Sequence, residues 1–237
     1  MKTLKYEILN HENQHDIKQA AIVLAETFTG VQVGNAFIRE PMSYACSLST
    51  EQFTEFATLY LEGIAPHGLT VVGKDEKGEI VAVLACENFN PEEEVPVFDG
   101  ELEPMNHIIQ FLLDIDISFV EKAEKVLNKK VEDKEFVHAF MVGVRLERDK
   151  KHVAVKLFEI LEEVAKEKGY KGVFGEATNL RSQNLMFKLL NYYTCTDVHG
   201  KPIAKRYDEH PVFKSIPYEI AEECSLVYKG FDKEYQI

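Results

Sequence analysis

The residues of this chain that could do chemistry gather around one stretch. "FVHAFMVGV", 136 to 144, is an apolar run that reads as a strand. "LERDKKHVAVKL", 146 to 157, follows as a basic turn entering an amphipathic helix. Strand, turn and helix N-terminus is a layout that can hold phosphate, because the first N–H groups of a helix lack internal partners and its dipole favours an anion. Lys150 and Lys151 add charge there. The rival reading is a solvated basic turn at an ordinary crossover. His138, on the strand, belongs to a residue type whose unperturbed pKa of ~6.5 suits a base at neutral pH. It reads equally well as a core histidine with its ring satisfied. Glu40 stands before Pro41 in "REPM", on a backbone that the proline restricts. It could hold a cationic group or sit on a surface loop.

The bulk composition limits what such residues could serve. The 237 residues suit one large domain or two small ones, and the chain reads as one domain, 1–237, with a helical insertion around 91–131. Hydrophobic residues at 45% and charged residues at 28% mark a globular chain rather than a disordered one. A net charge of −13 repels nucleic acid and anionic membranes, and weakly favours a cationic small molecule. No apolar stretch approaches the ~20 residues that cross a bilayer, and the N-terminus lacks the apolar core of a signal peptide. Cys46, Cys86, Cys195 and Cys224 are scattered, with no pair at metal-ligand spacing. They read as buried or free thiols in a reducing cytoplasm, and no metal site is expected.

The elements that must position these residues follow from periodicity. "LKYEIL" opens as a strand. "NQHDIKQAAIVLAETF" reads as a helix capped by Asn13, with Ile17, Ala20, Leu24 and Phe28 on one face. "GVQVGNAFIREPMSY" breaks that pattern. A second helix starts at Ser49 or Thr50 with Phe53, Phe56, Leu59, Tyr60 and Ile64 inward. "GLTVVGKDEKGEIVAVLACENF" is a hairpin turning at Gly78. After an acidic loop, Ile108, Leu112, Ile115, Phe119 and Ala123 mark a long helix or a broken pair. Then come the strand with His138, a helix with Ala154, Leu157, Leu161 and Val164 inward, the strand "KGVFGEAT", the helix "NLRSQNLMFKLLNYY", and two strands in "KPIAKRYDEHPVF" and "ECSLVYKGF". Strand–helix–strand implies a parallel pair. The fold class is α/β (α+β): a mixed, twisted sheet of about seven strands, helices on both faces, a parallel pair at its centre.

This order of elements resembles the GNAT superfamily of acyl-CoA-dependent N-acyltransferases over nearly the whole chain. "REPM" and the tail "HGKPIAKRYDEHPVFKSIPYEIAEECSLVYKGF" are similar to its arylalkylamine N-acetyltransferase branch. The resemblance implies acetyl-CoA as acyl donor, a small primary amine as acceptor, direct transfer, and a cytoplasmic monomer or homodimer. Its pyrophosphate motif, Q/R-x-x-G-x-G/A, falls on Asp149, Lys150, Lys151, His152, Val153 and Ala154, of which Ala154 alone agrees. Met141, Val142, Gly143 and Val144 take the positions that pair with pantetheine. Glu40 matches the glutamate that deprotonates the amine in insect relatives. His138 matches the first of two strand histidines of the vertebrate enzymes, and Phe140 replaces the second.

The family's helix tyrosine is absent: counting from Asn179 the pattern reaches Met186, or Phe187 with a shift of one. Ser182 is the nearest upstream hydroxyl for a general acid, and Asn179 and Phe187 are carried over as cofactor contacts. The missing glycine and tyrosine also fit a second reading, a non-catalytic member of the fold that binds CoA or another ligand.

Overall fold

A computed structural model describes residues 4–33, 36–145 and 150–237. In chain order the main elements are β1 (Lys5–Ile8), α1 (Gln14–Thr29), β2 (Val31–Val33), β3 (Ala36–Ile38), α2 (Pro41–Ala45), α3 (Thr50–Ile64), β4 (Val71–Lys74) and β5 (Ile80–Asn88). They continue with α4 (Met105–Leu127), β6 (Phe136–Val144), α5 (Lys150–Glu167), β7 (Gly172–Ala177), α6 (Leu180–Asn184), β8 (Tyr193–Thr194), β9 (Ala204–Arg206) and β10 (Glu223–Gly230). Eight strands form a mixed sheet in the order β1-β4-β5-β6-β7-β10-β8, with β9 also on β10. β6 and β7 run parallel, as the intervening helix requires. The chain divides into two compact units: Met1–Glu40, Leu48–Asn88 and Ala139–Lys168 form the first, and Pro41–Ser47, Phe89–His138 and Gly169–Ile237 the second.

In the first unit, α1 starts where Asn13 accepts a hydrogen bond from the Asp16 N–H. Ala20, Ala21 and Ala25 are fully buried, and α1 packs against both α3 and β5. α3 begins in a reciprocal cap: Ser49 Oγ accepts from Gln52 N–H, and Gln52 Oε1 accepts from Ser49 N–H. Phe28 stacks on Phe53 with ring centroids 5.1 Å apart. The expected inward face of α3 holds at Phe53, Phe56 and Ile64, with Tyr60 half-buried, and differs at one position. Leu59 is 51% exposed and Leu61 is fully buried. The β4–β5 turn is held by Asp75, whose Oδ1 accepts from the Lys77 and Glu79 N–H groups, and Gly78 takes φ +82°. Val31–Val33 and Ala36–Ile38 pair antiparallel as β2 and β3, where the sequence shows only a break in helical pattern.

In the second unit, α4 is one helix, and Ile108, Leu112, Ile115, Phe119 and Ala123 are all buried as their spacing predicts. Phe119 stacks on Phe174 of β7 at 4.3 Å. β6 enters the pairing with β7 through Phe136↔Gly172, Val137↔Val173 and His138↔Phe174. The helix expected over "NLRSQNLMFKLLNYY" is cut short. α6 covers five residues and passes into a wider π turn, Leu185–Leu189. Asn184 Nδ2 donates to the Leu180 carbonyl, which competes with the backbone ladder there. The strand expected in "KPIAKRYDEHPVF" keeps only Ala204–Arg206, because the chain turns from Tyr207 to His210. No helix among the described residues is long and apolar enough to cross a membrane.

Candidate active site

Glu40 lies in the first unit, just after β3. It is 9% exposed, so it is not a surface-loop carboxylate. Its backbone N–H donates to the Phe28 carbonyl at 3.0 Å, which ties it to the end of α1. Pro41 opens α2 at a position where a missing N–H costs no helical bond.

The same unit holds the positions expected to meet the cofactor. On β6, Met141, Gly143 and Val144 are buried and Val142 is half-buried. A Cβ on Gly143 would meet Thr27 Oγ1 at 3.1 Å and the Val23 carbonyl at 3.3 Å, so the close approach this glycine permits is to α1. Phe140, at the second histidine position, packs against Tyr60 at 4.9 Å. α5 starts at Lys150. Lys151 and His152 are exposed, Lys150 is half-buried, and Val153 and Ala154 turn to the core. The His152 backbone is therefore helical with its side chain on the solvent side. Asp149 lies outside the described residues.

His138 lies in the second unit. Its Nε2 is 2.9 Å from Glu176 Oε2, and its ring stacks on Phe174 at 4.9 Å and 9°. Glu176 comes from β7, two residues after Phe174. Asp116 comes from α4, three residues before Phe119. The spacing is regular: in "FVH" and "FGE" an aromatic and a polar residue alternate onto one face of each strand, and Phe119, three residues after Asp116, packs on both Phe136 and Phe174. One donor atom from each of these three polar residues falls within 4.8 Å of the others. Burial pushes the Glu176 carboxyl up. The charge and hydrogen bond of His138, with the Asp116 hydrogen bond, outweigh it and hold the group below the usual carboxylate range. Sequence reasoning named His138 alone. The repeated aromatic-x-polar pattern on adjacent strands was the available signal for the rest.

The hydroxyl of Ser182 is committed elsewhere. Its Oγ donates to the Asn179 carbonyl at 2.9 Å and accepts from the Asn179 N–H at 3.1 Å, closing a capping box on α6. Asn179 Oδ1 accepts in return from the Arg181 and Ser182 N–H groups. Both residues start a helix, and the serine proton is spent in doing so. Phe187 is half-buried in the π turn. Tyr193 keeps its proton, with its pKa pushed up to about 12 by burial.

The expected residues thus divide between the two units. Glu40, 141–144 and 150–154 belong to the first, and His138, Asn179, Ser182 and Phe187 to the second.

No family model matches this chain, and no curated protein matches its sequence. Solved structures do match. Arylalkylamine N-acetyltransferase 2 from Aedes aegypti superposes with a TM-score of 0.73 at 15% identity, over 97% of this chain and 100% of that one. An agmatine N-acetyltransferase, a serine-to-alanine mutant in its apo form, gives 0.68 at 16% identity over 96% and 99%. The C-terminal condensation domain of Ebony, in complex with beta-alanyl-dopamine, gives 0.65 at 14% over 97% and 100%. Such likenesses speak for architecture, and by them the chain has the fold of the GNAT N-acetyltransferases.

Proposed function

We propose that this protein transfers an acetyl group from acetyl-CoA to a small primary amine. The observation that carries the proposal is the buried carboxylate of Glu40, in a chain with the fold of arylalkylamine and agmatine N-acetyltransferases. The first N–H groups of α5 supply donors for the pyrophosphate, with Lys150 and Lys151 beside them. His152 is exposed, so its side chain does not turn into the core beside those N–H groups. The β6 backbone around Val142 offers strand-like pairing to the pantetheine arm.

Glu40 takes the proton of the bound ammonium. The neutral nitrogen attacks the thioester carbonyl carbon, a tetrahedral intermediate forms, and the C–S bond breaks. The attacking nitrogen gives up its extra proton as the intermediate collapses, and the departing thiolate, with a pKa near ~8.5, takes up that proton through water, so no enzyme acid is needed. His138 is left out of this scheme because its Nε2 is bonded to Glu176.

The test measures thiol release across a panel of primary amines, with CoA binding followed by calorimetry. Glu40→Gln is expected to lower kcat by roughly 10²–10⁴ while CoA affinity holds. A chain that binds no CoA at sub-millimolar levels, or a Glu40→Gln variant at full rate, overturns the proposal. CoA binding without turnover of any amine selects the non-catalytic reading, which the commitment of the Ser182 hydroxyl to its cap favours.

A further inference from the structure

We infer that Asp116, His138 and Glu176 form a site for a divalent transition-metal ion, of the zinc or manganese class. The inference is independent of acetyl transfer, and its test reads no activity.

Three elements deliver the donors. α4 brings Asp116, β6 brings His138 and β7 brings Glu176, and Phe119 of α4 packs on Phe136 of β6 and Phe174 of β7, which joins the three elements beside the cluster. The donor atoms lie within 4.8 Å of one another. Ligands bound at ~2.0–2.2 Å to one ion stand roughly 3–4 Å apart, so small side-chain shifts close the set. His138 already has its ring plane set by Phe174, and an oriented imidazole is what a metal ligand requires.

A second observation concerns the carboxylate at the cluster. The Glu176 side chain is 1% exposed. Its Oε2 meets His138, while its Oε1 is buried and has no hydrogen-bond partner. A buried carboxylate oxygen normally finds a donor. The groups acting on this one are His138, Asp116 and the backbone, with no lysine or arginine among them.

A divalent ion on a neutral imidazole and two ionised carboxylates makes a set of zero net charge, which suits a buried setting. One nitrogen and two carboxylate oxygens suit zinc, manganese or ferrous iron better than magnesium or calcium, which prefer oxygen alone. The half-buried position of Asp116 gives the ion a way in.

The experiment uses the full chain without a histidine tag, stripped with chelator and then titrated with ZnCl2, MnCl2 and CoCl2. One saturable site per chain is expected by calorimetry. Cobalt should show visible ligand-field bands, and zinc should raise the melting temperature reversibly with EDTA. Glu176→Gln and Asp116→Asn should each weaken binding by about tenfold or more. If either variant fails to fold, the cobalt spectrum and the zinc-dependent melting of the unaltered chain decide the matter alone. Absence of a saturable site overturns the inference, as does binding that both folded variants retain.

Discussion

His138 and Glu176 depend on one another. Each is a polar group inside an apolar layer, and each answers the other across 2.9 Å. Removing one partner of a buried pair leaves the other charge without compensation, at a cost of roughly 3–5 kcal/mol. We expect His138→Ala to destabilise the fold by about that much in urea denaturation, and a loss below about 1 kcal/mol would show that the pair contributes no more than a surface one. The cysteines offer a contrast. Cys46 is half-buried, whereas Cys86, Cys195 and Cys224 are buried, and burial pushes the Cys195 thiol up to about 11. A disulfide reagent at pH 8 should label Cys46 in the native protein and all four thiols in denaturant; rapid native labelling of Cys195 contradicts its burial. At this scale the sequence is legible in part. His138 is visible as an imidazole on a strand, but its partner is 38 positions away. Asp116 is one of the many acidic residues on the chain. Ser182 shows as a hydroxyl, while its capture by Asn179 depends on where α6 begins.

Helix α3 and helix α6 illustrate what local pattern can and cannot decide. The cap of α3 is written in its own residues, Ser49 and Gln52, three apart. Ser49→Ala should remove about 1 kcal/mol of stability, read as a lowered urea midpoint at constant slope. An unchanged midpoint would mean that packing against α1 alone holds the helix start. Periodicity finds α3, yet it cannot distinguish a stripe through Leu59 from one through Leu61, because both are apolar and the neighbours choose. α4 is unambiguous, since its five marked positions are apolar and their outward neighbours are largely polar. α6 defeats the pattern for a different reason. Its apolar spacing is helical, but a side-chain amide takes the first carbonyl and the turn widens. The β2–β3 pair escapes because strands of three residues carry too little alternation to read.

Across the whole molecule the order of elements is the most legible property, because strand–helix–strand connectivity obeys handedness and length rules whatever the side chains. That is why a fold shared at 15% identity is visible while its site is not. The molecule's alkaline behaviour follows from its buried tyrosines. Burial raises Tyr193 from 10.0 to about 12, and raises Tyr228 further. A group whose pKa is raised on folding stabilises the fold fully below its unfolded value and loses that contribution as pH rises through the folded one. Stability should therefore fall between about pH 10 and pH 12, as phenolate absorbance near 295 nm appears late for these two rings. Early, unshifted titration of all ten tyrosines would contradict the burial.

The position of β10 has a consequence for how the protein is made. β7, β8 and β9 all precede β10 in the chain, and all three pair with it. Until residues 223–230 leave the ribosome, β7 carries one unpaired edge and β8 and β9 lack their common partner. An open edge of that kind recruits other chains. A ribosome stalled before residue 223 should hold the second unit in a protease-sensitive, chaperone-bound state, and release of the next strand should close it in one cooperative step.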